Sequence, residues 1–180
     1  PIAFFCSPSG AVIDGCNVHD NSGHGIRNSR TLTFSGGTTK SEQNGTANKF
    51  YYGLKNNAGG DIKILTGLNI TKSASNGISN AGSVTLAAGN TLTVKENRIG
   101  ISNTGTFKAD GTLDVEKNTG TAVKNSENGT FDLNSNSTIV NTMADGTAII
   151  NEGKGVFTVK SKTKPMISGA GKGISNSATF

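Results

Sequence analysis

The chain of 180 residues has no tryptophan, three prolines and two cysteines, and aromatic residues make up only 6% of it. Hydrophobic residues amount to 33%, whereas the 25 glycines are about twice the average usage. This composition excludes an ordinary globular core and is close to that of disordered chains. No apolar run approaches membrane-spanning length, and none resembles the core of a signal peptide. Two possibilities remain: a disordered chain, or a fold that places its few apolar residues at regular intervals.

Several functional motifs are also missing. The formal charge of +5 is mild, and the chain lacks the dense Lys/Arg patch with interleaved aromatics that is typical of nucleic-acid binders. It contains no serine-hydrolase motif, no phosphate-binding loop and no dinucleotide fingerprint. We therefore expect no nucleic-acid partner and no cofactor.

A short phrase recurs instead, with a small residue, a branched apolar residue, any residue and then Asn. We call it the GIxN motif. Successive copies begin 28, 24, 23, 22, 26 and 25 residues apart. The seven copies are GIRN at 25–28, GLKN at 53–56, GISN at 77–80, GISN at 100–103, AVKN at 122–125, AIIN at 148–151 and GISN at 173–176. A repeat of this length indicates a solenoid.

Each motif is followed by two pairs of apolar residues. Val84 and Leu86, and then Leu92 and Val94, form these pairs in the third repeat. A spacing of two is that of a strand, and the residues between the pairs are those of turns. We predict an all-β, right-handed parallel β-helix of about seven coils, each with three short strands.

The boundaries of this solenoid follow from the repeat. We expect residues 1–24 to form a partial coil or cap, and residues 25–180 to form the repeats. The first repeat is the longest, so we expect a long loop at 36–52. Residues 174–180 align with the start of a coil, so we expect the chain to end in mid-coil.

The Asn of each motif falls at the same corner of successive coils. There a side-chain amide can donate to one neighbour and accept from the other, forming a ladder, and Asn also tolerates the left-handed backbone of a sharp corner. The predicted structural ladder consists of Asn28, Asn56, Asn80, Asn103, Asn125, Asn151 and Asn176. A second, broken ladder is predicted from Asn21, Asn97 and Asn118.

The cysteines and histidines allow more than one interpretation. Cys6 and Cys16 could form a disulfide, or both could be small buried hydrophobes. His19 with His24 or Asp20 could bind a metal, but a polar strand that leads into a corner is favoured, so no metal site is predicted.

The one close carboxylate pair on a strand face is Asp114 and Glu116. Glycan-cleaving β-helix enzymes place several carboxylates on one strand face. In the predicted register this pair faces Thr93 and Lys95 of the preceding coil, which favours a charge ladder. We predict no catalytic residues.

Two segments are candidate binding surfaces. The loop at 36–52 carries Phe50, Tyr51 and Tyr52, whose rings could contact sugar or protein. The other is a basic tract that includes Lys160, Lys162 and Lys164, which could meet anionic glycans, although solvated lysines that protect a sheet edge are an alternative.

The phrase GISNxGxF followed by LxVxxN resembles the passenger domains of bacterial autotransporters, especially the AIDA-type, self-associating adhesin group. The resemblance implies a right-handed β-helix displayed at the cell surface or secreted. Closely spaced cysteine pairs such as Cys6 and Cys16 fit that group.

Three functions are therefore hypotheses. The first is a non-enzymatic adhesin segment that binds surface glycans or surface proteins of a host or of bacteria through its flanks, or that associates with further copies of itself. The second is a structural subunit that stacks end to end into an extracellular filament. The third is a glycan-cleaving enzyme.

Overall fold

The fold is a parallel β-helix, described here from a computed structural model. The structure describes residues 4–6 as backbone only, and residues 10–46, 51–160 and 162–180 with their side chains. All named elements within these ranges are strands. The described residues include no helix that is long and apolar enough to cross a membrane.

Three short strands make up each coil. The first three coils consist of β1 (Phe4–Cys6), β2 (Ala11–Asp14), β3 (Asn17–His19), β4 (Ile26–Asn28), β5 (Thr31–Ser35), β6 (Thr39–Glu42), β7 (Leu54–Asn56), β8 (Asp61–Ile64) and β9 (Leu68–Thr71). The remaining strands are β10 (Asn76–Asn80), β11 (Ser83–Leu86), β12 (Thr91–Lys95), β13 (Ile99–Asn103), β14 (Thr106–Ala109), β15 (Thr112–Glu116), β16 (Thr121–Asn125), β17 (Thr130–Leu133), β18 (Thr138–Asn141), β19 (Thr147–Asn151), β20 (Val156–Val159), β21 (Met166–Gly169) and β22 (Lys172–Asn176).

Equivalent strands of successive coils pair in parallel and form three sheets. Sheet A joins the eight strands from β1 to β22 that carry or align with the GIxN motif. Sheets B and C each contain seven strands. Ile78 lies directly opposite Ile101, which lies opposite Val123. The predicted parallel β-helix with three strands per coil is confirmed.

The core is a set of apolar columns inside the coils. In the strands of the middle coils, alternating residues point inward and are fully buried, as Val84 and Leu86 are in β11. Phenylalanines form one such column: the Phe107 and Phe131 rings stack at 4.7 Å, and the Phe131 and Phe157 rings at 4.8 Å. Because only inward positions need apolar residues, a chain with 33% hydrophobic content still buries a continuous core.

Two predicted boundaries are wrong in part. The described residues among the first 24 contain β1, β2 and β3, one strand in each sheet, which is more than the partial coil or cap that we expected there. Residues 39–42, within the predicted loop at 36–52, form β6 of sheet C. The apolar pattern did not reveal β6 because its inward residues are Thr39 and Ser41, both fully buried.

The asparagine ladder is formed by the last residue of each sheet A strand from β4 to β22. The Nδ2 of Asn28 donates to the Oδ1 of Asn56 at 2.8 Å, and the pattern continues coil by coil to Asn176 with distances of 2.7–2.8 Å. This is the arrangement that the repeat predicts. None of these asparagines is among the described residues with positive φ, so the left-handed conformation that Asn tolerates is not used at the ladder positions.

Most of the described non-glycine residues with a left-handed backbone, all except Glu127, lie at the corner after sheet C. In five successive coils this position is held by Asp20, Gln43, Lys72, Glu96 and Lys117, with φ between 51° and 59°. The residue that follows is Asn21, Asn44, Ser73, Asn97 or Asn118. The second ladder is therefore real but broken at Ser73, and it includes Asn44, which accepts a hydrogen bond from Asn21 at 2.7 Å.

Candidate ligand-binding face

The outward side of sheet A, here the A face, carries the variable residue x of each GIxN motif. In register these are Arg27, Lys55, Ser79, Ser102, Lys124, Ile150 and Ser175. The described strands of sheet A contain four basic residues, including Lys172, and no Asp or Glu. Sheets B and C carry both signs of charge on their strands, for example Lys108 beside Asp132 and Lys95 beside Glu116.

Three rings lie together where the chain enters sheet A, and we call His24, Tyr51 and Tyr52 the aromatic cluster. The His24 ring stacks on Tyr52 with centroids 5.1 Å apart and planes 14° apart. It also meets Tyr51 in a T-shaped contact at 5.2 Å. Stacked and T-shaped ring pairs are the favoured geometries of aromatic contacts.

Backbone hydrogen bonds fix this cluster to two neighbouring coils. The N–H of Tyr52 donates to Nδ1 of His24 at 3.1 Å, and the N–H of Gly25 donates to the carbonyl oxygen of Tyr52 at 3.0 Å. The Tyr52 N–H bond requires His24 to have an unprotonated Nδ1. Partial burial, followed by the positive charges of Lys55 and Arg27, lowers the pKa of His24 to about 4, so the ring is neutral at pH 7.

Two cations, Arg27 and Lys55, border the aromatic cluster and are called the basic pair. They lie opposite each other on β4 and β7, at the usual strand separation of about 4.8 Å. The Nζ of Lys55 lies 5.6 Å from the centroid of the Tyr52 ring, within the range of a cation–π contact. Within the described residues, neither member of the pair has an ion-pairing carboxylate.

The predicted binding residues do not form one site. Phe50 lies outside the described residues, whereas Tyr51 and Tyr52 are half-buried at the entrance to β7. Lys160, Lys162 and Lys164 are all exposed, and they lie between β20 and β21 at another corner. Four coils separate the two groups, or roughly 19 Å along the axis at strand spacing.

The carboxylate pair is engaged by a lysine. The Nζ of Lys95 lies 2.7 Å from Oδ2 of Asp114 and 3.2 Å from Oε2 of Glu116. Partial burial lowers the pKa of Lys95, but the hydrogen bonds to Asp114 and Glu116 outweigh it, so the pKa lies above its usual value. The predicted register, with these residues facing Thr93 and Lys95, is confirmed.

The remaining candidates, His19 and Cys16, do not form a shared site with the aromatic cluster or the basic pair in the described structure. The Nδ1 of exposed His19 lies 2.8 Å from Oδ2 of its neighbour Asp20. Among the described residues, no group of three or more His, Cys, Asp or Glu side chains is placed to hold a metal ion. Cys16 is a half-buried free thiol, and burial raises its pKa. The disulfide with Cys6 that the sequence allowed is therefore not formed in this structure.

The sequence analysis did not identify Arg27 and Lys55 as binding residues, although the repeat places both at the variable position of the GIxN motif. Aligning the motif copies puts the variable residues in one column, which reads Arg, Lys, Ser, Ser, Lys, Ile and Ser without an acid. The pairing of His24 with the tyrosines has no such signal, since it depends on the two coils being in register.

No family model, curated protein or solved structure matches this chain. The assignment of function therefore depends on the geometry of the surface.

Proposed function

We propose that this chain is a segment of a non-enzymatic adhesin exposed at the cell surface or secreted, a β-helical rod that attaches cells to surfaces or to one another through its flank. The observation that carries the proposal is the A face, which combines basic residues with a ring cluster held on two rigid coils. Stacked coils present such groups at fixed spacing, which suits many weak contacts to a repetitive surface. The resemblance to autotransporter passengers agrees with this role.

An enzymatic role has less support. Lys95 is ion-paired with both Asp114 and Glu116, although Oδ1 of Asp114 is buried without a hydrogen-bond partner in the described structure. The shared lysine favours a charge ladder over an acid and base for glycosidic chemistry. Assays with anionic polysaccharides and the double variant Asp114→Asn with Glu116→Gln test this. Product release that the double variant abolishes would restore the enzyme hypothesis.

The experiment for the adhesin is an attachment and aggregation assay on cells that display the parent protein. Because residues 39–42 form β6, deleting the range 36–52 would damage a sheet, so the variant is Arg27→Gln with Lys55→Gln. Its control is Lys40→Gln with Lys63→Gln, which removes the same charge from exposed positions on sheets C and B. We expect attachment to fall for the first variant only. Unchanged attachment for both variants contradicts a role of the A face.

The second candidate function is a subunit that stacks end to end. The observation that favours it is the exposure of apolar residues on the last coils, with Met166 at 56%, Ile174 at 45% and Phe180 at 49%. A light-scattering concentration series separates the two functions. Growth of the particle mass without limit supports stacking, whereas a mass that stays monomeric or stops at a dimer supports attachment through a flank.

A further inference from the structure

We infer that the aromatic cluster and the basic pair bind an acidic saccharide, with its carboxylate or sulfate held by Arg27 and Lys55 and one sugar ring placed beside the tyrosines. This deepens the proposed function and rests on it for its biological setting. The binding itself can be measured without cells.

The charge of the site favours an anionic group. Arg27 and Lys55 are neighbours in register, and their mutual repulsion has no described carboxylate to offset it. An arginine offers a planar fork of donors that matches a carboxylate or sulfate, and a lysine adds a point charge beside it. A ligand anion between them would take the place that acidic side chains occupy on sheets B and C.

The rings favour a sugar rather than a free ion. Tyr51 and Tyr52 are each partly exposed, and one face of the Tyr52 ring stacks on His24. Tyrosine rings can pack against the apolar C–H face of a pyranose, and their hydroxyls can bond to sugar hydroxyls. Little reorganisation is needed because the Tyr52 backbone is already bonded to His24 and Gly25. Rigid groups that are in place before binding lower its entropic cost.

A longer saccharide could extend from the basic pair along the A face. Beyond Lys55 the outward column continues through Ser79 and Ser102 to Lys124. Hydroxyl side chains at strand spacing can donate to and accept from successive sugars. Lys124 is less available, because its Nζ lies 2.8 Å from Oε1 of Glu152. The basic pair and the aromatic cluster are therefore the anchor, and the serines extend it.

The test is calorimetric titration of the purified chain with three probes of similar size: an oligogalacturonate, a dextran sulfate and a neutral dextran. We expect one or both acidic probes to bind and the neutral one not to bind. Arg27→Gln with Lys55→Gln, and separately Tyr52→Leu, should each weaken binding roughly tenfold or more, since each removes one half of the anchor. Lys40→Gln with Lys63→Gln should leave it unchanged.

Two further measurements test whether the saccharide binds at this site. The ring protons of His24 should shift on binding in NMR spectra, while those of His19 on sheet C should not. Tyr52→Phe keeps the ring and should retain most of the affinity. Thermal unfolding of each variant checks that it is folded.

Several outcomes would overturn the inference. These are no binding of either acidic probe, equal losses in the basic-pair variant and its control, or a folded Tyr52→Leu variant with full affinity. A DNA duplex that competes with the same dependence on Tyr52 would also overturn the saccharide class. If the purified chain binds as expected but displaying cells do not attach, the adhesin function fails and the inference stands.

Discussion

Two asparagines of the same ladder, a buried one in the middle and an exposed one at the end, differ in what their loss should cost. Asn103 is fully buried and bonded on both sides, to Asn80 at 2.7 Å and to Asn125 at 2.8 Å. Asn103→Ala removes both bonds and leaves a buried amide oxygen on Asn125 without this donor. We expect a loss of about 3 kcal/mol in the free energy of unfolding, measured by denaturant titration.

Asn176→Ala is the matched control, because Asn176 has the same motif position but is exposed. It should cost less than about 1 kcal/mol, since water can replace the bond from Asn151. Equal losses for the two variants would contradict a burial-dependent ladder.

The gap in the second ladder can be filled. Ser73 stands where the neighbouring coils have Asn44 and Asn97, and its Oγ is buried without a hydrogen-bond partner in the described structure. We expect the larger side chain of Ser73→Asn to fit. Ser73 lies next to Gly53, and in the following coil Asn97 lies in the same way next to Gly77. We expect a gain of about 1 kcal/mol, or roughly 2–4 °C in the melting temperature by calorimetry. A lower melting temperature than for the unmodified chain would show that the amide does not join the ladder.

The imidazole of His24 should make stability depend on pH. Its pKa of about 4 in the folded protein lies below the ordinary 6.5 because of partial burial and the charges of Lys55 and Arg27. Between these two pH values the unfolded chain binds a proton at His24 that the folded chain does not bind. The contribution of His24 to the free energy of unfolding is therefore complete above pH 6.5 and decreases as the pH drops towards 4. The slope should stay below the ~1.4 kcal/mol per pH unit of a whole proton, because the half-buried ring is screened by solvent.

Denaturant midpoints between pH 7 and pH 5 measure this effect. His24→Gln keeps an acceptor for the Tyr52 N–H and should flatten the dependence in that window. His19→Gln, on the exposed side of β3, should not. A slope that survives in His24→Gln would assign the effect to another group.

At the scale of the element, the small first residue of the GIxN motif has a packing reason. A Cβ on Gly77 would lie 2.5 Å from Cγ1 of Val94 and 2.8 Å from the carbonyl oxygen of Gly100. Gly77→Ala should therefore destabilise the chain by about 1–3 kcal/mol in denaturant titration. Gly173 has the same motif position in the last strand and nothing within 4 Å of such a Cβ, so Gly173→Ala should change stability by less than about 1 kcal/mol. If both variants lose the same stability, the cause is the backbone and not the contact.

Sequence reasoning succeeded for elements whose inward residues are apolar and failed where they are not. The repeat predicted the register of sheet A from β4 onwards and that of sheets B and C from β8 to β18, because pairs such as Leu92 and Val94 mark the inward columns. It missed β6, where Thr39 and Ser41 point inward, and it missed β1, where Cys6 and not an asparagine is in register with Asn28. The site was harder still, since the contact between His24 and Tyr52 joins residues 28 apart that no local pattern links.

At the scale of the whole molecule, each coil touches only its neighbours, so stability should vary along the axis. The inward residues of β13 and β16 are fully buried, whereas β21 and β22 have no buried position. We expect amide hydrogen exchange, followed by mass spectrometry, to be slowest in the middle coils and fastest in β21 and β22. Asn103→Ala should speed exchange on both of its sides, while Asn176→Ala should speed it only in the last coils. Uniform protection along the chain would mean that the coils unfold as one unit, and the nearest-neighbour description would then fail.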